Sequence, residues 1–252
     1  MSNNIANENI YLLKALQFLK EKKWVDLTHS FGPESPHFSA FDHAEFKTLF
    51  THEDGFFAQQ FSFAGQYGTH IDAPIHFVPN RRFLEDLSLK ELVLPLVVID
   101  KSEEVAKNPD FILSVGDILQ FEEEYGKIEA GTFVALRTDW SKRWPNVEAF
   151  NNKDAEGNNH TPGWGLEALK FLFEERRVKA IGHETFDTDA SVDYQKNGKL
   201  VGEYYVLDQD TYQIELLTNL DKVPAKGAII FNIVAKPEKA SGFPVRSFAI
   251  LP

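Results

Sequence analysis

The chain has 252 residues, of which 43% are hydrophobic and 25% are charged. These proportions exclude a largely disordered chain, a collagen-like repeat and a coiled coil, and the lack of cysteine excludes disulfides, thiolate-bound zinc and a cysteine nucleophile. A net charge of −12 disfavours nucleic acid as a partner. Without a signal peptide or an apolar run approaching ~20 residues, we expect a cytoplasmic protein that does not contact membranes.

Hydrophobic periodicity predicts helices and strands that alternate along the chain. A helical stripe covers about residues 9–22. Ser114 and Asp117 form a capping box for a second helix that ends at Gly126, and Thr161-Pro162 opens a third that runs to about Arg177. Strands are predicted at 24–27, 57–63, 92–99, 132–136, 178–181, 228–234 and 247–251. Pro95 places the strand 92–99 near an edge or a bulge.

The mixture of strands and helices predicts one domain over residues 1–252, of the α/β or α+β class. Several common active sites are missing from the sequence. It contains no glycine-rich phosphate loop and no G-x-S-x-G elbow. His183-Glu184-Thr185-Phe186-Asp187 resembles a zinc-protease motif, but it follows a strand and not a long helix.

One segment, residues 66–77, concentrates residues with catalytic chemistry. Gly68 and Pro74 argue against a continuous helix. In an extended chain, His70 and Asp72 point to the same face and could bind one divalent metal through nitrogen and oxygen. His76 and Gln66 are close enough in sequence to join them. Spacing alone leaves open both a metal site and a structural turn.

The same segment resembles the signature H-x-G-T-H-x-D-x-P-x-H of the cyclase-like metal-dependent hydrolases. That family includes kynurenine formamidases and isatin hydrolases. Further family-like segments follow in the expected order: Trp24–His29, Leu136–Trp140, Val178–Gly182, Ile214–Leu220 and Ser241–Arg246. This resemblance implies an α/β, single-domain, swivelling β/β/α fold. It also implies subunits that associate as a homodimer or homotetramer, with active sites near the interface.

The resemblance also assigns roles to individual residues. His70 and Asp72 fall on metal-ligand positions, Glu215 falls on a carboxylate ligand, and His76 falls on the catalytic histidine. Gln66 and Glu203 occupy positions that are histidine in the formamidases, and His183 is the candidate to replace a missing ligand.

With Gln66 and Glu203 in place of two histidines, the site is rich in oxygen ligands, which suit Mn²⁺ better than Zn²⁺. Three buried carboxylates would also repel one another unless a cation neutralised them. We therefore expect at least one divalent metal.

The implied function is metal-dependent hydrolysis of an amide-type C–N bond, in a formamide or a lactam of small size. His76 would act as general base and then as general acid. Thr69, His29 and Trp140 are candidates to contact a substrate that can be aromatic. Three alternatives remain open: a lactone hydrolase, a cyclase or dehydratase of the same fold, and a small-molecule binder that has lost catalysis.

Overall fold

The computed structural model describes residues 2–252, with side chains from Ile10 onward. The helices are α1 (Ser2–Lys20), α2 (Ser102–Lys107), α3 (Val115–Tyr125), α4 (Val147–Asn151), α5 (Leu166–Lys170), α6 (Ser191–Asn197) and α7 (Val201–Asp208). The strands are β1 (Trp24–Asp26), β2 (Glu45–Phe50), β3 (Ala58–Ser62), β4 (His70–Asp72), β5 (Val93–Asp100), β6 (Ile112–Leu113), β7 (Phe133–Arg137), β8 (Gly163–Trp164), β9 (Ala180–His183), β10 (Gln213–Glu215), β11 (Ala228–Val234) and β12 (Gly242–Ile250). The predicted mixed α/β class is confirmed.

The main sheet closes on itself. Its strands follow the order β1-β12-β11-β5-β7-β9-β10-β4, and β4 also pairs with β12. Strand β12 therefore has two partners on one side, since Gly242–Pro244 pairs with β4 and Phe248–Ile250 pairs with β1. The central strands β5, β7, β9 and β10 are parallel, whereas β4, β11 and β12 make antiparallel pairs. The result is a barrel-like sheet with β1 extending one edge.

Alternating side chains of the central strands supply two hydrophobic cores. Along β5, Leu96 and Val98 join a core inside the closed sheet. The intervening Val97 and Ile99 join a second core, which helices α3 and α5 cover from outside. Because both faces of β5 and β7 are buried, these strands read as continuous apolar runs. The two cores hold the sheet rigidly around the strands that carry the candidate site.

The predicted helix at residues 9–22 exists with different bounds. Helix α1 runs from Ser2 to Lys20, so its start was predicted too late and its end two residues too late. The polar residues before Asn9 carry no apolar stripe, and a periodicity argument cannot detect a helix without one. Among the helices of residues 2–252, none is long and apolar enough to cross a membrane.

Two other sequence predictions were wrong. Strand β5 is central, between β11 and β7, and the sheet tolerates Pro95 because pairing with β7 begins only at Leu96. The helix predicted from Pro162 begins at Leu166. Gly163 and Trp164 instead form β8, which pairs with the short parallel strand β6. The capping box is confirmed, since Ser114 N donates to Asp117 Oδ2 at 2.8 Å and Asp117 N to Ser114 Oγ at 3.3 Å.

Candidate metal centre

Two neighbouring strands bring four polar side chains to one face of the sheet. In the antiparallel pair of β4 and β10, Asp72 lies opposite Gln213 and His70 lies opposite Glu215. Residues two apart on a strand share a face, and directly opposite residues share it too. All four residues are buried, with exposed fractions of 5% or less. The register of one strand pair therefore builds the centre of the site.

The imidazole of His70 has a fixed tautomer. Its Nδ1 lies 2.8 Å from Gly68 O, and a carbonyl can only accept, so Nδ1 carries the proton. The Nε2 lone pair then faces two carboxylates, at 3.2 Å from Glu215 Oε2 and 3.5 Å from Asp72 Oδ2. Burial opposes a charged ring, but these carboxylates outweigh it and raise the pKa of His70 well above its usual value. A positive charge between the three groups satisfies them, whether it is a proton or a metal.

Asp72 is the most enclosed carboxylate of the site. It is 0% exposed, and Gln213 Nε2 donates to Asp72 Oδ2 at 3.4 Å and to Glu215 Oε1 at 2.9 Å. The Thr188 hydroxyl donates to Gln213 Oε1 at 2.7 Å, which fixes the orientation of the amide. Burial would raise the pKa of Asp72, but His70 and His76 outweigh it and lower the value to about 2. Asp72 is therefore held as an anion.

Glu203 approaches the same centre from a helix. It lies in the first turn of α7 and is 3% exposed. The carboxylate of Asp189 accepts from Gly202 N at 2.8 Å and from Glu203 N at 2.9 Å, and so anchors the N-terminus of α7. Burial and the nearby Glu215, Asp187 and Asp72 raise the pKa of Glu203 well above its usual value. Without a cation, this carboxylate resists ionisation.

His183, at the end of β9, contacts the site through Glu215. The Trp164 indole donates to His183 Nδ1 at 3.3 Å, so a neutral ring carries its proton on Nε2, because an indole can only donate. That Nε2 lies 3.5 Å from Glu215 Oε1. In this tautomer His183 can orient the Glu215 carboxylate but has no lone pair to offer a metal.

His76 lies at the rim of the site. Its side chain is 25% exposed, and its Nε2 is 3.9 Å from Asp72 Oδ1. Gln66 Nε2 lies 3.4 Å from His76 Nδ1 and 3.2 Å from Ser241 Oγ. The Ser241 hydroxyl can donate or accept, so either end of the Gln66 amide can face the imidazole. The structure thus places Gln66 beside the predicted catalytic histidine.

The chemistry of this cluster fits a divalent cation. Four buried side-chain atoms here have no hydrogen-bond partner: His70 Nε2, Asp72 Oδ1, His183 Nε2 and Glu203 Oε2. Unpaired buried polar atoms are rare and need an explanation. Two triads each bring one possible ligand atom per residue within 4.8 Å of one another: His70, Asp72 and Glu215, and Asp72, His76 and Glu203. Asp72 belongs to both triads.

Gly242 on β12 closes the site from the other side. It lies opposite Asp72 in the register of β4 and β12. A Cβ atom at this position would lie 2.5 Å from Gln66 Nε2, 2.6 Å from Ile71 O and 2.8 Å from Asp72 Oδ1. Only glycine lets the backbone approach the carboxylate and the amide this closely.

The three residues predicted to contact the substrate, Thr69, Trp140 and His29, differ in their access to a ligand. Thr69 is 1% exposed. Its hydroxyl donates to Leu216 O at 2.6 Å and accepts from His29 N at 2.9 Å, so it joins two chain segments. Trp140 is also 1% exposed, and its indole donates to Phe150 O, so its ring offers no surface to a ligand.

Of the three, only His29 faces a cavity. Its ring stacks on Trp144 with a centroid separation of 4.5 Å. Its Nε2 has no partner. Burial lowers the pKa of His29 to about 4. The ring is therefore neutral near pH 7.

An aromatic groove of about 520 Å³ adjoins His29. Its side walls include Phe31, Phe46, Phe61 and Phe63. Phe31 packs against Gly68, where a Cβ would lie 2.8 Å from the Phe31 ring. Phe63 contacts Phe243, the neighbour of Gly242, with ring centroids 6.0 Å apart. The groove therefore shares its walls with the segments that lead into the candidate metal centre.

Two residues of the site, Gln213 and Asp187, were not predicted from the sequence. Gln213 could have been found, because it stands two residues before Glu215 on the same strand face. Asp187 carried no such signal, since it lies in a loop after β9. Burial and the carboxylates of Glu215, Asp189 and Asp72 raise the pKa of Asp187 to about 7, which shows how much negative charge converges here.

Comparisons with known proteins identify relatives of this chain. Residues 25–190 match the model of the Cyclase family, described as "Putative cyclase". The chain is 35% identical over 202 residues to an isatin hydrolase of Roseibium aggregatum, a match that covers 78% of this chain and 76% of that protein.

Solved structures resemble the chain over nearly its whole length. An isatin hydrolase bound to the product analogue thioisatinate superposes with a TM-score of 0.89 at 30% identity, covering 98% of this chain and 99% of that one. A potential metal-dependent hydrolase with cyclase activity has a TM-score of 0.68 at 19% identity, covering 90% and 96%. The second likeness concerns the fold alone.

Proposed function

The chain belongs to the Cyclase family, and from that premise we propose that it is a metal-dependent hydrolase of small aromatic cyclic amides, of which isatin is the type. The observation that carries the proposal is the convergence of three unpartnered buried atoms that can each bind a cation: His70 Nε2 and Asp72 Oδ1 on β4, and Glu203 Oε2 on α7. The similarity to isatin hydrolases supports the choice of a lactam substrate.

We assign the metal to His70, Asp72 and Glu215, with Glu203 as a further carboxylate. A divalent cation bound there would polarise an amide carbonyl and make a water molecule more acidic. His70 presents a free lone pair, because Gly68 O holds its other nitrogen. Gln213 steadies the Glu215 carboxylate through its N–H group, and His183 Nε2 lies 3.5 Å from the same carboxylate. The oxygen-rich set favours Mn²⁺ over Zn²⁺.

His76 is the proton carrier in this proposal. Its partly exposed side chain and its position beside Asp72 support this role. With the Gln66 carbonyl accepting from Nδ1–H, the Nε2 lone pair can take a proton from the attacking water. The water oxygen bonds to the amide carbon, and His76 returns the proton to the nitrogen as the C–N bond breaks. The products are a carboxylate and an amine, joined by the former ring.

The aromatic groove supplies a binding surface for a flat substrate. Its volume lies within the usual range for small-molecule pockets, ~300–1,000 Å³, and its phenylalanines can stack on a fused benzene ring. His29 adds one neutral, unpartnered nitrogen to this surface. We propose that the ring of the substrate lies against these residues and that its carbonyl points toward β4.

A substrate panel tests the proposed function. The chain is purified without chelators, and isatin, N-formylkynurenine and a simple aromatic lactone are each assayed with Mn²⁺ and with Zn²⁺. We expect isatin to be opened fastest, with Mn²⁺, and ¹⁸O from labelled water to enter the new carboxylate. A product without ¹⁸O would indicate cyclisation or dehydration. Metal binding without turnover of any compound would indicate a binding protein.

His76 is tested separately from the metal. His76→Ala is expected to keep the bound metal and to lose ~10²–10⁴-fold in kcat, the usual contribution of a general base. His43→Ala, at an exposed histidine outside the candidate site, is the matched control and should keep full activity. An undiminished rate in His76→Ala would remove this residue from the mechanism.

A further inference from the structure

Far from the candidate metal centre, His160 lies between two carboxylates of different chain segments. Its Nδ1 is 2.8 Å from Asp110 Oδ2, and its Nε2 is 3.2 Å from Asp154 Oδ2. An ionised carboxylate can only accept, so both ring nitrogens must donate, and only the protonated ring has two N–H groups. The hydrogen bond to Asp110, followed by the one to Asp154, raises the pKa of His160 above its usual value. An imidazolium therefore joins the two segments.

One of these segments is the α4–β8 loop, residues 152–160. Asp154 organises it, because its Oδ1 accepts from Asn158 N at 2.8 Å and its Oδ2 accepts from Asn158 Nδ2 at 3.0 Å. At the neck of the loop, His160 N donates to Asn152 O at 3.1 Å, and Asn152 Nδ2 donates to His160 O at 2.8 Å. The loop is thus a compact unit, and His160 is the residue that connects it to Asp110.

The two joined segments flank a third hydrophobic core. Its buried members are Val105, Trp140, Phe150 and Leu216. Phe150 belongs to α4, which leads into the α4–β8 loop, and Phe111, the neighbour of Asp110, packs against the same core. Leu216 directly follows Glu215 of the candidate metal centre. The contact of His160 with Asp110 therefore fastens the outer side of a core whose inner side supports that centre.

From this arrangement we propose that His160 is a proton-dependent clamp, which holds the α4–β8 loop against Asp110 while its ring is charged and releases the loop when the ring loses its proton. A neutral imidazole has one N–H group and one lone pair. The lone pair would face a carboxylate, so one of the two contacts becomes repulsive. The side chains of His160, Asp110 and Asp154 are each 26–30% exposed, so solvent can deliver and remove the proton.

The charges that face the ring are those of Asp110 and Asp154. On the loop itself, Lys153 and Glu156 are exposed, and neither forms an ion pair within the part of the chain whose side chains are described. Helix α6 contacts the loop through a neutral group, since Gln195 Nε2 donates to the loop backbone at 3.0 Å. Because the folded pKa is raised, the clamp is complete below the unfolded value of about 6.5 and is lost as the pH rises through the folded value.

Hydrogen–deuterium exchange tests the clamp, and it does not depend on the proposed function. In the wild-type chain we expect the protection of the loop amides, corrected for intrinsic exchange rates, to fall roughly tenfold between about pH 6 and pH 9, because local opening becomes easier when the ion pairs are lost. The amides of β5 are the internal reference and should keep their protection. His160→Ala should show the low loop protection at both pH values. Equal loop protection across this range in the wild-type chain would overturn the proposal.

The titration of the ring, followed by NMR, tests the partners. The signal of His160 is identified by its loss in His160→Ala, and we expect it to titrate above about 6.5 in the wild-type chain. Asp110→Asn keeps the shape of the partner and removes its charge, so it should lower this pKa and reduce loop protection at low pH. His52→Ala, at an exposed histidine in the hairpin of β2 and β3, is the control and should change neither. A His160 pKa that Asp110→Asn leaves unchanged would contradict the clamp.

Discussion

In the closed sheet Leu96 and Ile99 are each 1% exposed, whereas on α1 Leu12 and Leu13 are 72% and 66% exposed. All four are large aliphatic residues, and each lies in an element that was predicted from its hydrophobic residues. The difference is that the strands pack against neighbours on both sides within their own chain, whereas the described side chains of α1 from Ile10 to Phe18 are all exposed. A hydrophobic pattern therefore predicts which element forms, but the chain alone does not decide what covers it.

The candidate metal centre extends the same comparison to polar groups. On the sheet, His70 and Asp72 are buried and their partners converge on them. On the hairpin, His52 and Glu53 also carry an imidazole and a carboxylate, and both are exposed. Burial makes the first set interact strongly, and solvent makes the second set nearly independent.

Removing a buried ligand should abolish metal binding. We expect Asp72→Asn and His70→Ala each to lose bound metal and at least ~10³-fold in kcat/KM, about 4 kcal/mol of transition-state stabilisation. His52→Ala on the hairpin is the matched control and should keep its metal. Plasma mass spectrometry of the dialysed proteins measures the metal content. Equal metal in all three variants would rule out the centre.

The two leucine environments should respond very differently to truncation. Leu96→Ala opens a cavity in the inner core and should lower the free energy of unfolding by about 3 kcal/mol. Leu12→Ala on α1 should change the unfolding of the monomer by less than about 0.5 kcal/mol. Denaturant titrations at high dilution measure both. Similar losses in the two variants would mean that α1 packs on its own chain.

The glycine that closes the site should be intolerant of a methyl group. Gly242→Ala places a Cβ within 2.8 Å of Asp72 Oδ1 and closer still to Ile71 O, and we expect a loss of about 2 kcal/mol in stability together with weaker metal binding. Gly32→Ala, which meets no atom within 4 Å, is the control. If calorimetry gives the same Tm for both, strand β12 does not constrain the site.

Acidification should produce a smaller loss of stability, through His29. The pKa of His29 is about 4 in the folded chain and about 6.5 when unfolded, so protons bind the unfolded chain first as the pH falls below 6.5. Stability should then decrease by up to about 1.4 kcal/mol per pH unit between pH 6.5 and 4. His29→Phe, which keeps the stacking on Trp144, should remove this part of the slope. Parallel slopes for both chains in urea titrations would contradict it.

The sequence predicts those parts of the site that depend on residues close together in the chain. The i, i+2 rule places His70 and Asp72 together because it needs only one strand. The same rule links Gln213 to Glu215, but it does not place either residue opposite β4, since the register of β4 and β10 joins residues about 140 positions apart. Family resemblance supplied Glu215 and Glu203, which no local pattern connects to residue 70.

Other errors have equally local causes. Thr161-Pro162 has the composition of a helix start, but Gly163 N donates to Phe111 O and Gly165 N donates to Leu113 O, so a strand pairing wins over the helix. Trp140 was a candidate to contact the substrate because large aromatic side chains line pockets as well as pack in cores. Its indole is paired with Phe150 O, and a sequence gives no means of seeing that partner.

The double pairing of β12 has a consequence for biosynthesis. The segment Gly242–Pro244 pairs with β4. It follows His70 by more than 170 residues along the chain. During translation, the ribosome therefore releases the imidazole and carboxylate of β4 long before it delivers the strand that encloses them. Throughout that interval these groups are open to any metal in the surroundings. We therefore expect the candidate metal centre to be complete only at the last stage of folding, when Gly242–Pro244 pairs with β4 and closes the sheet.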